Sequence, residues 1–284
     1  MNKGIVLLAF GRRGYLNMAH NLAMSIKFYN PAINITLFTE NNYDPIDKEL
    51  YDSVRELPND MIYTAGVGID PIKAKIGLYD ILPYEYNLYL DVDALLLKDI
   101  TPLLDTLIEN KETFVTDIID TGDINKNIQY SIWAKNEDIF KHFDLPKGAI
   151  LPSTQTSWMY VKKCKDSKQI FATAKKYIDF PKNRLTKKWG GTMPDELIFS
   201  GVLAKLKCIP KLNPNPIFFG NKLSDKTYTE LREQYFILSL YGNGRGRTMT
   251  LKKYIDWYDS LLKTYGNKYY YSKTFMQDKH VGNG

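Results

Sequence analysis

A chain of 284 residues with 44% hydrophobic, 13% aromatic and 25% charged residues can bury a sizeable core, as one large α/β domain or two small ones. That composition excludes a disordered chain, a collagen-like repeat and a small disulfide scaffold. The formal net charge of +6 divides unevenly: residues 239–284 hold eight basic and three acidic groups, or +5, while residues 1–238 hold 30 basic and 29 acidic groups, or +1.

Residues 4–10 (GIVLLAF) are a continuous apolar run ending in a glycine loop, the pattern of a buried parallel strand. Helical periodicity follows over 16–29 through Leu16, Ala19, Leu22, Ala23 and Ile26, closed by Asn30-Pro31. His20 on that helix reads as a structural histidine. Residues 33–39 (INITLFT) predict a second strand, so the chain opens β-α-β. A short strand is expected over 54–57, a helix over 72–82 ended by Pro83, and a strand over 87–90 that runs into Asp91-Val92-Asp93. A weaker strand over 113–116 precedes an extended segment over 149–161 and a lysine-rich helix over 167–177. Pro194 opens a helix with Asp195 and Glu196 in its first turn. Pro210, Pro214 and Pro216 mark a loop, before a strand over 235–240 and an amphipathic helix over 251–262. This alternation predicts an α/β fold with a mostly parallel mixed sheet flanked by helices. No repeat, low-complexity stretch or interdomain linker is visible.

Cys164 and Cys208 follow no ligand spacing and read as free thiols of a reducing compartment. The apolar run before Arg12 and Arg13 is too short for a signal peptide or a membrane span, and no later run approaches spanning length, so a soluble, cytoplasmic protein is expected.

The sharpest chemical signal is Leu88-Tyr89-Leu90-Asp91-Val92-Asp93. In extended backbone, residues i and i+2 face the same way, so Asp91 and Asp93 present two carboxylates together at the end of a buried strand. Two hard oxygen ligands with open positions suit Mn²⁺ or Mg²⁺ holding a diphosphate. The seven arginines add to this, because four of them lie in two glycine-flanked clusters, Gly11-Arg12-Arg13-Gly14 and Gly244-Arg245-Gly246-Arg247. Glycine lets backbone N–H groups approach a ligand, and the guanidinium fork matches phosphate oxygens. The basic C-terminal region, with Tyr265, Tyr269, Tyr270, Tyr271 and Phe275 among its lysines, suits contact with an anionic surface, or is a solvated lysine-rich helix and coil.

These motifs, in this order over roughly residues 4–250, resemble the GT-A fold nucleotide-sugar glycosyltransferases, most of all the retaining glycogenin and bacterial galactosyltransferase-like group. The resemblance implies a nucleotide-binding half over about 1–117, a donor-sugar and acceptor half over about 118–250, and beyond them a basic, tyrosine-rich helix and tail over 251–284. Ala9, Phe10, Gly11 and Arg12 through Tyr15 match the loop that holds the uridine of a UDP-sugar. Lys73 and Lys75 stand where the family keeps a basic residue near the diphosphate. Leu90-Asp91-Val92-Asp93-Ala94 matches its metal motif. Ser153-Thr154-Gln155-Thr156-Ser157-Trp158 occupies the place of the polar strand beside the donor sugar, without the family's Asn-x-Gly. Pro194-Asp195-Glu196 resembles the Asp-Gln helix start that contacts sugar hydroxyls. The family's His-x-x-Gly-x-x-Lys reads here Ser239-Leu240-Tyr241-Gly242-Asn243-Gly244-Arg245. Glycine is kept, Arg245 replaces lysine with Arg247 beside it, and Ser239 replaces a metal-binding histidine; His280 near the C-terminus is the alternative third ligand.

The expectation is a metal-dependent glycosyltransferase, retaining by resemblance, that moves a sugar from a UDP-type donor to an acceptor hydroxyl, with Asp195 and Gln155 on the reactive face. An inverting enzyme would instead use Asp195 or Glu196 as general base. The basic tail fits a lipid-linked saccharide approached at a membrane surface, or DNA carrying a hydroxylated base. A non-catalytic nucleotide- or glycan-binding module and a nucleotidyltransferase are the alternatives.

Overall fold

The structure, a computed structural model, describes residues 2–40, 48–64, 68–122, 133–185, 194–220, 226–240 and 252–266. It opens as expected with β1 (Lys3–Ala9), α1 (Arg13–Tyr29) and β2 (Asn34–Thr39), followed by β3 (Ser53–Glu56). A short α2 (Asn59–Ile62) leads into a small hairpin of β4 (Tyr63–Thr64) and β5 (Gly68–Ile69). Next come α3 (Pro71–Gly77), β6 (Tyr86–Leu90), β7 (Ala94–Leu96) and α4 (Thr101–Glu109). The second half runs β8 (Phe114–Gly122), α5 (Asn136–His142), β9 (Leu151–Lys162), α6 (Lys165–Lys176) and α7 (Asp195–Leu206). It closes with β10 (Ile217–Phe219), α8 (Tyr228–Gln234), β11 (Ile237–Ser239) and α9 (Lys252–Thr264).

The main sheet has the order β3-β2-β1-β6-β9-β8. Its first four strands are parallel, and β9 and β8 add two antiparallel pairings. Both faces are covered, which is why β1 is apolar at every position after Lys3 and Gly4. Ile5, Leu7 and Ala9 pack with Leu16, Leu22 and Leu104 of α1 and α4. Val6, Leu8 and Phe10 face the other way, toward Ile76, Phe171 and Leu197 of α3, α6 and α7. The second sheet, β10-β11-β7, carries α9 through Leu95, Leu238, Tyr258 and Leu262.

The strand order reverses beside β1: β2 lies on one side and β6 on the other, reached by separate crossovers. In open α/β sheets such a switch point leaves a crevice beyond the carboxyl ends of the two strands. Register aligns those ends, with Leu7 paired to Leu90, so the loop after Ala9 and the Asp91–Asp93 segment leave the sheet on the same edge.

Several elements differ from the sequence reading. The helix expected over 72–82 ends at Gly77 and tightens into a 3-10 turn at Leu78–Asp80. Strand β8 runs on to Gly122, past two register shifts at Val115/Asp117 and Ile118/Asp120 that break its alternation. Helix α4 has Pro102 in its first turn and buries Leu103, Leu104 and Leu107, and α8 begins with a capping box of Thr227 and Glu230. Both signals stand in the sequence. Cys164 and Cys208 are free thiols. Among the described residues, no helix is long and apolar enough to cross a membrane.

Candidate active site

The crevice at the switch point is a cavity of about 570 Å³, within the usual size of a small-molecule site. One end is formed by the β1–α1 loop. Gly11 leaves the strand with φ +85°, a left-handed conformation that favours glycine. Its N–H donates to Glu40 Oε1 at 2.6 Å, tying the loop to the residue after β2. Phe10, Gly11, Arg12 and Tyr15 line the cavity here, with Ile69 and Ile72 opposite. Helix α1 starts after Arg12 without a side-chain cap and without an acid in its first turn, which leaves its start favourable to an anion.

The carboxylate pair forms the centre. Leu88 and Leu90 are fully buried, and the β6 ladder continues one residue past the strand because the Asp91 N–H donates to Ser157 O at 2.8 Å. Asp93 is fixed from the other side: its carbonyl accepts the Leu240 N–H at 2.8 Å, just beyond β11. Asp91 and Asp93 both line the cavity. Tyr89, two residues before Asp91 on the same face of β6, donates its hydroxyl to Asp91 Oδ1 at 2.5 Å.

Lys75 joins the pair to the far wall. Its ammonium lies 2.9 Å from Asp91 Oδ1 and 3.0 Å from Asp195 Oδ2, and donates to Thr156 O at 3.2 Å. Thr156 in turn donates its hydroxyl to Asp195 Oδ2 at 2.5 Å. Burial works to lower the Lys75 pKa, but the charges of Asp195 and Asp91 outweigh it and hold it well above the ordinary lysine value. Lys75 is therefore a fixed cation whose charge is already balanced by two carboxylates. Burial, and then the charge of Asp91, push the Asp93 carboxyl up to about 7. Burial and Asp195 push Glu196 up to about 8.

Asp195 and Glu196 reach the cavity from the first turn of α7, with Pro194 at the N-cap position. That turn is fastened to β9: Thr154 Oγ1 donates to Glu196 O at 2.7 Å, and the Thr154 N–H to Ser200 Oγ at 3.2 Å. Ser157 lines the same space.

Other expected site residues fall elsewhere. Ala9 is buried among the α1 side of the core. Lys73 is two residues from Lys75, hence on another face of α3, and its ammonium donates to Tyr63 O at 3.0 Å. Gln155 pairs with Asp117 in the β8–β9 ladder and does not line the cavity. Thr156 acts through Asp195. Ser239 is buried opposite Ala94, with its carbonyl accepting the Gly220 N–H, and also stays out of the cavity. Gly242, Arg245, Arg247 and His280 lie outside the described residues. Trp133 and Ile69 line the cavity without having been foreseen, because the fold alone brings them there. Tyr89 was legible, two residues from Asp91 in a strand.

Among the described residues, no group of three or more His, Cys, Asp or Glu side chains gathers as a metal cage. The two carboxylates still fit a hard divalent cation that keeps waters or phosphate oxygens as its other ligands. The raised Asp93 pKa marks a buried negative charge that such a cation would relieve.

No family model matches the chain, and no curated protein sequence matches it. Solved structures do. WbbM, a bifunctional glycosyltransferase, superposes with a TM-score of 0.63 at 13% identity over 98% of this chain and 52% of its own. The galactosyltransferase LgtC, solved with donor and acceptor sugar analogues, gives 0.58 at 15% identity over 92% of this chain and 95% of its own. GlyE, a glycosyltransferase of Streptococcus pneumoniae TIGR4, gives 0.51 at 15% identity over 98% and 63%. The chain thus spans about half of WbbM and under two thirds of GlyE. Its fold is that of the GT-A glycosyltransferases.

Proposed function

We propose that the chain is a metal-dependent glycosyltransferase that moves a sugar from a UDP-type donor to an acceptor hydroxyl. The observation that carries this reading is one cavity, at the switch point of a GT-A sheet, where the β1–α1 loop, the Asp91–Asp93 pair and the first turn of α7 meet. Phe10, Gly11 and Tyr15 border the nucleoside, and Arg12 with the uncapped start of α1 meets the phosphates. Asp91 and Asp93 hold Mn²⁺ or Mg²⁺, which offsets charge developing on the leaving diphosphate. Asp195, placed by Lys75 and Thr156, orients sugar hydroxyls together with Ser157. Arg245 and Arg247 add to the phosphate contacts. Positioning and electrostatic stabilisation supply most of the rate gain.

The acceptor we favour is a saccharide, because LgtC, of which this chain covers 95%, is a galactosyltransferase solved with an acceptor sugar analogue. The basic C-terminal region suits a lipid-linked saccharide reached from a membrane surface. The reading is tested by thermal unfolding with UDP, with and without Mn²⁺, alongside slow hydrolysis of a panel of UDP-sugars. Mn²⁺-dependent stabilisation together with release of free sugar supports it. Stabilisation without turnover points to a binding module, preference for a nucleoside triphosphate to a nucleotidyltransferase, and no response to UDP or metal from folded protein ends it.

A further inference from the structure

The two oxygens of Asp91 are engaged unequally. Oδ1 accepts the Tyr89 hydroxyl at 2.5 Å and lies 2.9 Å from the Lys75 ammonium. Among the described residues, Oδ2 accepts only from Lys75, at 3.1 Å. A carboxylate oxygen has two lone pairs, so Oδ1 is filled while Oδ2 keeps one for a further partner. Tyr89 also meets the other member of the ion pair, because the Lys75 ammonium stands 5.5 Å from the centre of its ring. The tyrosine itself cannot wander. It is buried in β6, paired with Val6 of β1 on one side and Met159 of β9 on the other. Buried tyrosine hydroxyls usually find a partner, yet packing in this sheet does not demand one. Tyr160 of β9, on the other face, is fully buried with its hydroxyl bonded to nothing among the described residues. The bond from Tyr89 to a carboxylate on the cavity wall therefore needs a reason other than burial.

We propose that Tyr89 is a positioning residue, whose hydroxyl fixes the Asp91 carboxylate so that Oδ2 is the oxygen offered to a divalent cation. The inference rests on the metal-dependent reading given above. Tyr89 acts through Asp91 and is not itself a ligand. Its hydroxyl stops the carboxylate from turning about its terminal torsion, which is otherwise soft. Its ring holds Lys75 beside the same group, so the ammonium balances part of the charge of Asp91 without taking the last lone pair of Oδ2. Hydrogen-bond partners of metal ligands tune affinity in this way, and removing one typically costs 10–100-fold in metal binding.

The test titrates MnCl₂ by calorimetry into the full chain saturated with UDP, for the parent, Tyr89→Phe and Tyr160→Phe. Phenylalanine fills the same space as Tyr89 and keeps the ring beside Lys75, so only the hydroxyl is lost. Mn²⁺ should then bind about 10–100-fold more weakly. Tyr160→Phe removes a buried hydroxyl from the opposite face and should stay within about twofold of the parent. In slow hydrolysis of a UDP-sugar, Tyr89→Phe should need correspondingly more Mn²⁺ for half its maximal rate. Its kcat at saturating Mn²⁺ should return to within about threefold of the parent, whereas a merely structural defect would lower kcat at every Mn²⁺ concentration. An Mn²⁺ affinity of Tyr89→Phe within about twofold of the parent overturns the role. So does an equal loss in Tyr160→Phe, or a fall in kcat that saturating Mn²⁺ does not restore. These outcomes leave binding by the parent intact, so they strike Tyr89 alone. A parent protein that binds neither UDP nor Mn²⁺ strikes the functional reading itself, and the role of Tyr89 falls with it.

Discussion

The Lys75 ammonium lies 3.0 Å from Asp195 Oδ2 and thereby joins α3 to the first turn of α7, two elements 120 residues apart in sequence. The same ammonium reaches Asp91 at the end of β6. One side chain therefore sets the spacing between the Asp91–Asp93 pair and Asp195.

Replacing Lys75 by Met leaves two buried carboxylates without their cation. Breaking a buried pair in this way costs about 3–5 kcal/mol. Urea denaturation of Lys75→Met should show a loss of that size, with Mn²⁺-dependent UDP binding weakened as Asp91 and Asp195 move apart. Lys73→Met should leave both within error, since the Lys73 ammonium donates to the Tyr63 carbonyl at the surface and does not line the cavity.

Thr156 and Gln155 are neighbours in sequence with opposite expectations. Thr156→Val removes the hydroxyl that holds Asp195 at 2.5 Å, and a hydrogen bond to a charged group contributes about 1.5–3 kcal/mol. The kcat/KM for transfer should fall by roughly tenfold or more. Gln155→Ala lies outside the cavity and should stay within about twofold of the parent. A large loss in Gln155→Ala would return that residue to the reactive face.

Gly11 tests the β1–α1 loop. A methyl at Gly11 would meet only Ile69 side-chain atoms, at 3.4 Å, so space is not the constraint. Its φ of +85° lies in the left-handed region, and Gly11→Ala should cost about 1–2 kcal/mol from backbone strain. If the loop instead relaxes, the Glu40 hydrogen bond opens and the loss appears as weaker UDP binding by titration calorimetry.

The raised pKa of Glu196 has a pH signature. Its folded value of about 8 exceeds the ordinary 4.5, so its contribution to stability is complete below the ordinary value and disappears as pH rises through about 8. Melting temperatures of metal-free protein should therefore fall more steeply between about pH 5 and 8 for the parent than for Glu196→Gln. Each unit of pKa displacement corresponds to about 1.4 kcal/mol. Parallel curves would show that Glu196 titrates normally.

Much of the cavity's β1 and β6 edge was legible because its signals are local. An apolar strand followed by glycine and arginine, and a second one ending in Asp-Val-Asp, announce their own geometry through strand periodicity. The rest depends on register and crossovers. The sequence could not choose between Lys73 and Lys75; the helical turn between them decides, and only α3's placement against β6 shows which face matters. Gln155 and Thr156 likewise exchange roles through the pleat of β9. Ser239 satisfied a spacing but is consumed by the small sheet. Trp133 had no marker at all, since it reaches the cavity through a connection rather than a repeating pattern.

Asp93 is fastened to the residue after β11, and the sheet containing β11 is roofed by α9, whose successor Tyr265 donates its hydroxyl to Leu96 O at 3.0 Å. The last described helix thus works as a keystone for the edge of the sheet that carries Asp93. A chain cut before Lys252 would uncover Leu95, Leu97 and Leu238 and would loosen the seat of Asp93. Removal of α9 would then be read at Asp93, on the cavity wall.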